Sequence, residues 1–250
     1  MIKLSDHFTY RRLLRYTLPS IIMMVFTAVY GVVDGFFISN WTGSTAFAAI
    51  NLVWPFAMLF SAVGFMFGTG GTALVAYTFG TGRSKDAKEI FSLITYAGII
   101  LGVVLTIVAE VFLQDVAVLL GASEEMLPYS LSYGRILLAG LMPFMLQSMF
   151  QSFFVAAEKP KLGMIVTIAS GMTNIIFDAL LVAVLGCGVV GAAWATFASQ
   201  IVGGIIPLVY FLCPNKSILR LGRPCRKLSM LFRPAATGRR NSCPIFPCPS

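Results

Sequence analysis

Six long apolar stretches, separated by short polar loops, dominate the pattern of residues along the chain. We place them at about 14–39, 47–79, 88–113, 127–157, 161–185 and 189–212. Each is long enough to cross a bilayer as an α-helix, which takes roughly 20 residues. None shows the alternation of a barrel strand, and backbone groups in hydrocarbon must be bonded within the segment. The pattern therefore predicts an all-α membrane protein built as a six-helix transmembrane bundle.

The second and fourth stretches are longer than a single crossing requires, and each contains a proline. Proline lacks the N–H that continues the helical ladder, so it is a common cause of kinks. We expect Pro55 and Pro143 to be kink points in two tilted helices that project beyond the membrane. No small-residue cleavage site follows the first apolar run, so we expect the first span to remain as an anchor.

Charge placement predicts the orientation of the bundle. Positive residues occupy the N-terminus, the second and fourth loops and the tail, and only Arg135, inside the fourth span, breaks this pattern. Before the tail the others are Lys3, Arg11, Arg12, Arg15, Arg83, Lys85, Lys88, Lys159 and Lys161. The first, third and fifth loops carry none. Because positively charged loops stay in the cytoplasm, we predict a multi-pass protein of the bacterial inner membrane. Residues 1–13 and the basic tail 213–250 would then both be cytoplasmic.

Composition supports a membrane location and excludes several functions. Only 11% of the residues are charged, against about 25% in a soluble domain. The net charge of +8 could suggest a nucleic-acid partner, but the positively charged loops all lie on one side of the predicted membrane, which argues against it. The one histidine and five cysteines have no metal-ligand spacing; they are His7, Cys187, Cys213, Cys225, Cys243 and Cys248. We therefore expect neither an enzyme nor a nucleic-acid partner.

Two carboxylates lie well inside predicted spans, Asp34 in the first and Asp178 in the fifth. Asn174 precedes Asp178 by four residues, so both project from one helix face. Thr196 lies in the sixth span. Counted from the outer helix ends, Asp34, Asp178 and Thr196 fall within a layer roughly 10 Å below the surface, with Asn174 one turn below Asp178. Their oxygens suit a hard cation such as Na⁺, or a proton held by a desolvated carboxyl group.

A structural role for these polar residues remains the alternative, since Asp, Asn and Thr also bond neighbouring helices in membranes. Four further residues are candidates for the wall of a cavity: Tyr30, Met145, Gln147 and Gln151. Methionine and aromatic side chains make adaptable apolar walls. The same residues could equally be helix-packing groups, and the sequence leaves both interpretations open.

Several segments resemble the multidrug and toxic compound extrusion (MATE) family. They are LPSIIMMVFTAVYGVVDGFFISNWTG in the first span, FGTGGTALVAYTFGTGRSKDAKE at the end of the second, FVAAEKPKLGM between the fourth and fifth, TNIIFDALLV in the fifth and GVVGAAWATFASQ in the sixth. The resemblance covers about residues 10–220, with the motifs in the family's order. It implies one lobe of a twelve-helix transporter, whose two six-helix lobes face each other across a cleft.

The resemblance also implies a role for the polar layer. The family's N-terminal lobe has a cation site at positions that match Asp34, Asn174, Asp178 and Thr196. Na⁺ or H⁺ entering there would drive export of organic, often cationic, compounds, with no cofactor beyond the coupling ion. Alternatives are a lipid-linked oligosaccharide flippase of the same superfamily, which a basic cleft would favour, and a non-transporting membrane fragment. A missing second lobe, or a parallel homodimer partner, would be needed to complete the cleft.

The tail after about Arg223 departs from the family pattern. It reads CRKLSMLFRPAATGRRNSCPIFPCPS, which has no helical period. A disordered basic tail and a polybasic lipid contact are two interpretations. The third, which we favour, is a frameshift or truncation. Codons chosen for NSCPIFPCPS and translated one base earlier give ELLSNISMSL, which looks like the start of the family's seventh helix. We therefore expect the half-length chain not to transport alone.

Overall fold

The structure is a computed structural model that describes residues 10–213 and 217–222. Nearly all of the described chain is helical, and its helices are α1 (Tyr10–Trp41), α2 (Ser44–Gly80), α3 (Ser84–Leu119), α4 (Leu127–Ala139), α5 (Leu141–Ala156), α6 (Pro160–Asp178) and α7 (Gly188–Leu212). The predictions for residues 1–9 and for the tail 223–250 fall outside the described residues. The all-α class predicted from the sequence is confirmed.

Five helices of the described chain are long and apolar enough to cross a membrane singly, with α6 extended to Val184. Helices α4 and α5 together are also long and apolar enough, which makes six crossings if this bent pair is one span. Most helices extend past the predicted spans, and the largest difference is at the end of α3, which continues through Gln114 and Asp115 to Leu119. Both polar side chains there are exposed, so the helix continues beyond its apolar segment.

The fourth predicted span is broken into two helices that meet at an angle of 54°. The break falls at Gly140, three residues before the expected kink at Pro143. Pro143 has no N–H to donate to the carbonyl of Ala139, so the ladder fails one turn ahead of the proline itself. By contrast, α2 continues through Pro55 as one helix.

Helix α2 packs very closely against α5. A Cβ added at Gly64 would lie 2.5 Å from the carbonyl oxygen of Met145, and one at Gly68 would lie 2.8 Å from that of Met149. No side chain other than hydrogen fits between the two backbones at these positions. Small residues permit this approach, which is a common packing mode in membranes, where the hydrophobic effect does not drive helices together.

Helix α6 does not end at Asp178 but continues as a π-helical segment, Ala179–Val184. The wider turn begins directly after the aspartate. Short π-helical segments often occur at functional sites, since they change the direction of side chains on either side. The segment contacts α1 and α7, so the backbone around Asp178 lies between two other helices.

Helix α1 is the least enclosed of the five single-helix spans. In its most apolar stretch 11% of residues are buried, against 28% to 44% in the other four. It packs mainly on α6, and its outer face exposes large apolar side chains such as Met24, Val32 and Phe36. One side of α1 therefore holds it to the bundle while the other faces lipid or another protein surface.

Residues 217–222 fold back onto the bundle end that carries the α2–α3 loop. Leu219 and Leu221 are buried in an apolar cluster with Phe91 and Phe211. The N–H of Leu221 donates to the carbonyl of Phe211, and that of Gly222 donates to the hydroxyl of Ser92 at 2.9 Å. This segment is therefore packed against α3 and α7.

Candidate functional site

Three helices bring the sequence-predicted polar residues together. Helix α1 supplies Asp34, α6 supplies Asn174 and Asp178, and α7 supplies Thr196. Asp178 has no exposed surface, Asn174 is 2% exposed and Thr196 is 6% exposed, while Asp34 is partly buried. The Asp34 carboxyl group lies within hydrogen-bonding reach of the side chains of both Asp178 and Asn174.

The cluster holds more acceptor oxygens than donors. Four buried side-chain oxygens receive no hydrogen bond from any part of the chain that the structure describes: Oδ1 of Asp34, Oδ1 of Asn174, and Oδ1 and Oδ2 of Asp178. The Thr196 hydroxyl donates to the carbonyl of Ala192 at 3.1 Å, so it offers only its lone pairs to the site. Two carboxylates side by side are stable only if a proton or a cation lies between them.

Tyr133 on α4 is part of this site, although the sequence analysis did not single it out. Its side chain is 1% exposed, and it lies close enough to Thr196, Asp34 and Asp178 to interact with all three electrostatically. The depth argument could have found it. Tyr133 is six residues from the start of α4 at Leu127, which is about 9 Å along the helix axis.

A cavity of about 320 Å³ opens beside the cluster. Its polar wall includes Asp34, Asn174, Thr196, Tyr133, Gln147, Ser199 and Gln200, and its apolar wall includes Tyr30, Phe47, Trp54 and Phe144. Asp178 is not part of the wall and lies behind Asp34 and Asn174. The arrangement gives an aromatic surface with a carboxyl group at one side, which suits an organic cation.

Two of the four residues predicted as cavity-lining occupy that wall, and two do not. Tyr30 and Gln147 line the cavity. Met145 is 2% exposed and packs where α5 meets the backbone of α2 at Gly64, and Gln151 is half-buried elsewhere on α5. The bend at Gly140 sets which face of α5 points inward, and the sequence pattern did not specify that rotation.

The described helices thus form a membrane bundle with a buried acidic cluster beside a cavity. A family model described as MatE matches residues 19–180, well over half of the chain, and the chain belongs to that family. The resemblance stated from the sequence motifs is thereby confirmed.

Among curated relatives, the multidrug export protein MepA of Staphylococcus aureus strain MRSA252 is 27% identical over 228 residues, covering 90% of this chain and 51% of MepA. MepA of Staphylococcus haemolyticus is 28% identical over 209 residues, covering 84% and 46%. The chain thus spans about half the length of the curated relatives it matches.

Solved structures agree on the fold. The outward-facing form of a multidrug resistance MATE family transporter of the MOP superfamily superposes with a TM-score of 0.80 at 24% identity, over 87% of this chain and 49% of that one. A crystal structure of MATE in complex with MaD3S also gives 0.80, over 86% and 49%. The fold of this chain is therefore that of about half of a MATE transporter.

Proposed function

We propose that this chain is the ion-coupling lobe of a secondary active antiporter that exports small organic, mainly cationic, compounds in exchange for Na⁺ or H⁺. The observation that carries the proposal is the surplus of acceptor oxygens around Asp34 and Asp178. A buried carboxylate pair without donors is costly unless an ion or proton is bound, so the pair would alternate between loaded and unloaded states.

The roles of the individual residues follow from their placement. Asp34, in the cavity wall, would exchange the ion with the cavity, and Asp178 behind it would complete the ion's coordination. Asn174 and Thr196 supply neutral oxygens that suit Na⁺. Tyr133 would add its hydroxyl group beside Thr196 and the two carboxyl groups.

The cargo and the orientation are part of the proposal. The MepA relatives are named as multidrug export proteins, and the aromatic cavity wall suits flat organic cations. The positive charge of the α2–α3 and α5–α6 loops supports a cytoplasmic location for that end of the bundle. The cavity beside Asp34 would then lie in the outer half of the membrane.

Ion binding can be tested on the purified 250-residue chain in detergent. NaCl is titrated against KCl at constant ionic strength while the thermal unfolding midpoint is followed by tryptophan fluorescence. A ligand that binds only the folded state raises that midpoint. If the coupling ion is Na⁺, we expect a saturable rise that KCl does not reproduce. If it is H⁺, we expect a protonated-carboxyl band in the infrared spectrum instead.

Matched variants connect either signal to the site. Asp34→Asn and Asp178→Asn should abolish it, while Asp115→Asn, on the exposed end of α3, should leave it unchanged. A chain showing neither signal, or one whose signal survives both site variants, would contradict the proposed coupling role.

Transport itself needs two facing walls, and this chain supplies one. Ethidium efflux from cells producing the chain alone therefore separates two arrangements. Efflux that Asp34→Asn abolishes would favour a cleft formed by two parallel copies. Absence of efflux, with ion binding intact, would favour a second lobe supplied by another polypeptide segment.

A further inference from the structure

Arg135 is a charged residue within a membrane span that the ion-coupling role does not use. It follows Tyr133 by two residues on α4, and residues two apart on a helix are turned from each other by about 200°. Tyr133 is buried beside the acidic cluster, whereas the side chain of Arg135 is exposed. Arg135 therefore lies on the face of α4 that points away from the acidic cluster.

Glu110 on α3 is the acidic neighbour of Arg135. The two side chains lie close enough to interact electrostatically. The helices that carry them are in close contact one turn away, where a Cβ added at Gly134 would lie 2.8 Å from the side chain of Leu113. Glu110 is half-buried, and no hydrogen bond or ion pair joins it to Arg135 in the described part of the chain. Both groups therefore keep free hydrogen-bonding capacity.

This pair lies on the membrane-facing side of the bundle. Helix α3 becomes polar at Gln114, which is exposed, and Glu110 lies about 6 Å below it along the helix axis. Further from that end, α3 exposes the apolar side chains of Ile107 and Val103, one and two turns below Glu110. Of the described residues that line the cavity, none belongs to α3. The surface around Glu110 and Arg135 therefore faces the bilayer rather than the cavity.

A guanidinium group in this position needs an anion at the membrane interface. Charged side chains are costly in hydrocarbon, and those within spans usually face the interior of the bundle. Side chains on a helix point towards its N-terminus, and α4 begins at Leu127, so Arg135 is directed towards the interface at the α3–α4 loop. Its long apolar stem allows the charged end to reach that interface. Lipid phosphate is the anion available there, and guanidinium binds phosphate through paired hydrogen bonds.

The acidic neighbour selects the kind of lipid. Phosphatidylglycerol has a net negative headgroup, which Glu110 would repel. Phosphatidylcholine carries a cation, but its quaternary ammonium has no N–H to donate to a carboxylate. Phosphatidylethanolamine carries a phosphate and a primary ammonium, so it can form charge-assisted hydrogen bonds with both Arg135 and Glu110.

We propose that Arg135 and Glu110 form a binding site for the headgroup of phosphatidylethanolamine. The phosphate binds Arg135, the ammonium binds Glu110, and an acyl chain lies along the exposed side chains of Ile107 and Val103. The site is separate from the cavity and from the carboxylates of α1 and α6. It depends neither on the coupling ion nor on which end of the bundle is cytoplasmic, so its test is independent of the proposed function.

The lipid preference is tested by native mass spectrometry of the intact chain in detergent. Dioleoyl phosphatidylethanolamine, phosphatidylcholine and phosphatidylglycerol are titrated one at a time, and the apparent Kd of each is taken from the fraction of lipid-bound protein. We expect phosphatidylethanolamine to bind about tenfold more tightly than either other lipid, the effect of one further charge-assisted hydrogen bond. Equal binding of phosphatidylethanolamine and phosphatidylcholine, or tighter binding of phosphatidylglycerol, would overturn the proposal.

Variants assign the preference to the two side chains. Glu110→Gln should bind phosphatidylethanolamine and phosphatidylcholine equally, and Arg135→Gln should weaken the binding of both by about tenfold. The controls Glu125→Gln and Arg220→Gln make the same changes at exposed positions elsewhere and should bind like wild type. Wild-type binding in Glu110→Gln or in Arg135→Gln would overturn the proposal. A dimer that Arg135→Gln abolishes would also overturn it, because the surface would then be a contact between two copies.

Discussion

Replacing Asp178 by asparagine should stabilise the protein while removing its response to the coupling ion. Both oxygens of Asp178 are buried without a donor, and Oδ1 of Asp34 beside it is unbonded as well among the described residues. An asparagine would remove one of two adjacent negative charges and add an N–H that can donate to Asp34. A hydrogen bond to a charged group contributes about 1.5–3 kcal/mol, so we take about 2 kcal/mol as the gain.

For a domain of this size, about 1 kcal/mol moves the unfolding midpoint by about 2–4 °C. Asp178→Asn should therefore unfold about 4–8 °C above wild type in alkaline, Na⁺-free detergent solution. Added Na⁺ or acid should narrow the difference, because either stabilises the wild type and neither stabilises the variant. Unfolding of membrane proteins in detergent is often irreversible, so midpoints are compared at one fixed scan rate.

Asp115→Asn is the matched control, since it makes the same chemical change at an exposed position on α3. Its midpoint should match that of wild type in every buffer. If Asp178→Asn unfolds below wild type in Na⁺-free solution, Asp178 contributes to the packing of the helices through bonds of its own. The interpretation of the cluster as an unloaded ion site would then be wrong.

Two more substitutions test the packing and the site. Gly68→Ala should lower the midpoint by about 5 °C, since its Cβ would lie 2.8 Å from the Met149 carbonyl oxygen and overpacking costs about 1–3 kcal/mol. Gly70→Ala on the same helix is the control, because a Cβ added at Gly70 would have nothing within 4 Å. It should not lower the midpoint, and an equal loss in both variants would contradict the close α2–α5 contact. Tyr133→Phe should raise the Na⁺ concentration at half-maximal stabilisation about tenfold, since it removes a hydroxyl group beside Thr196 and the two carboxyl groups. An unchanged titration curve would exclude a role for that hydroxyl group.

The membrane spans and the two carboxylates inside them were predictable from the sequence, because they depend on segment length and on the cost of desolvating a charge. A segment must be apolar over a minimum length to cross a bilayer, so the spans follow from hydropathy alone. A charged group inside such a segment is rare enough to indicate function, which singled out Asp34 and Asp178. Counting residues from the helix ends then placed them at one depth.

Which side of each helix faces the interior of the bundle was not predictable from the sequence. In a membrane protein both the lipid-facing and the buried sides of a helix are apolar, so periodicity does not show which residues face inward. The sequence therefore gave no reason to prefer Gln147 over Met145 or Gln151 as a residue of the cavity wall. Tyrosine is common near membrane interfaces, so the residue type did not single out Tyr133 and only its depth could have done so. The π-helical segment after Asp178 has the composition of an ordinary helix.

The shallow seating of α1 means that the site depends on a helix that is held to the bundle mainly through α6. Asp34 belongs to the helix with the smallest buried share, whereas its partners are on well-packed α6 and α7. Local opening free energies are lowest where few apolar contacts are made, so we expect α1 to separate from the bundle before the other spanning helices do. For the proposed ion site, the measured affinity would then be the intrinsic affinity reduced by the fraction of molecules in which α1 is seated. A mutation that improves the apolar packing of α1 on α6, far from any ligand oxygen, would tighten ion binding.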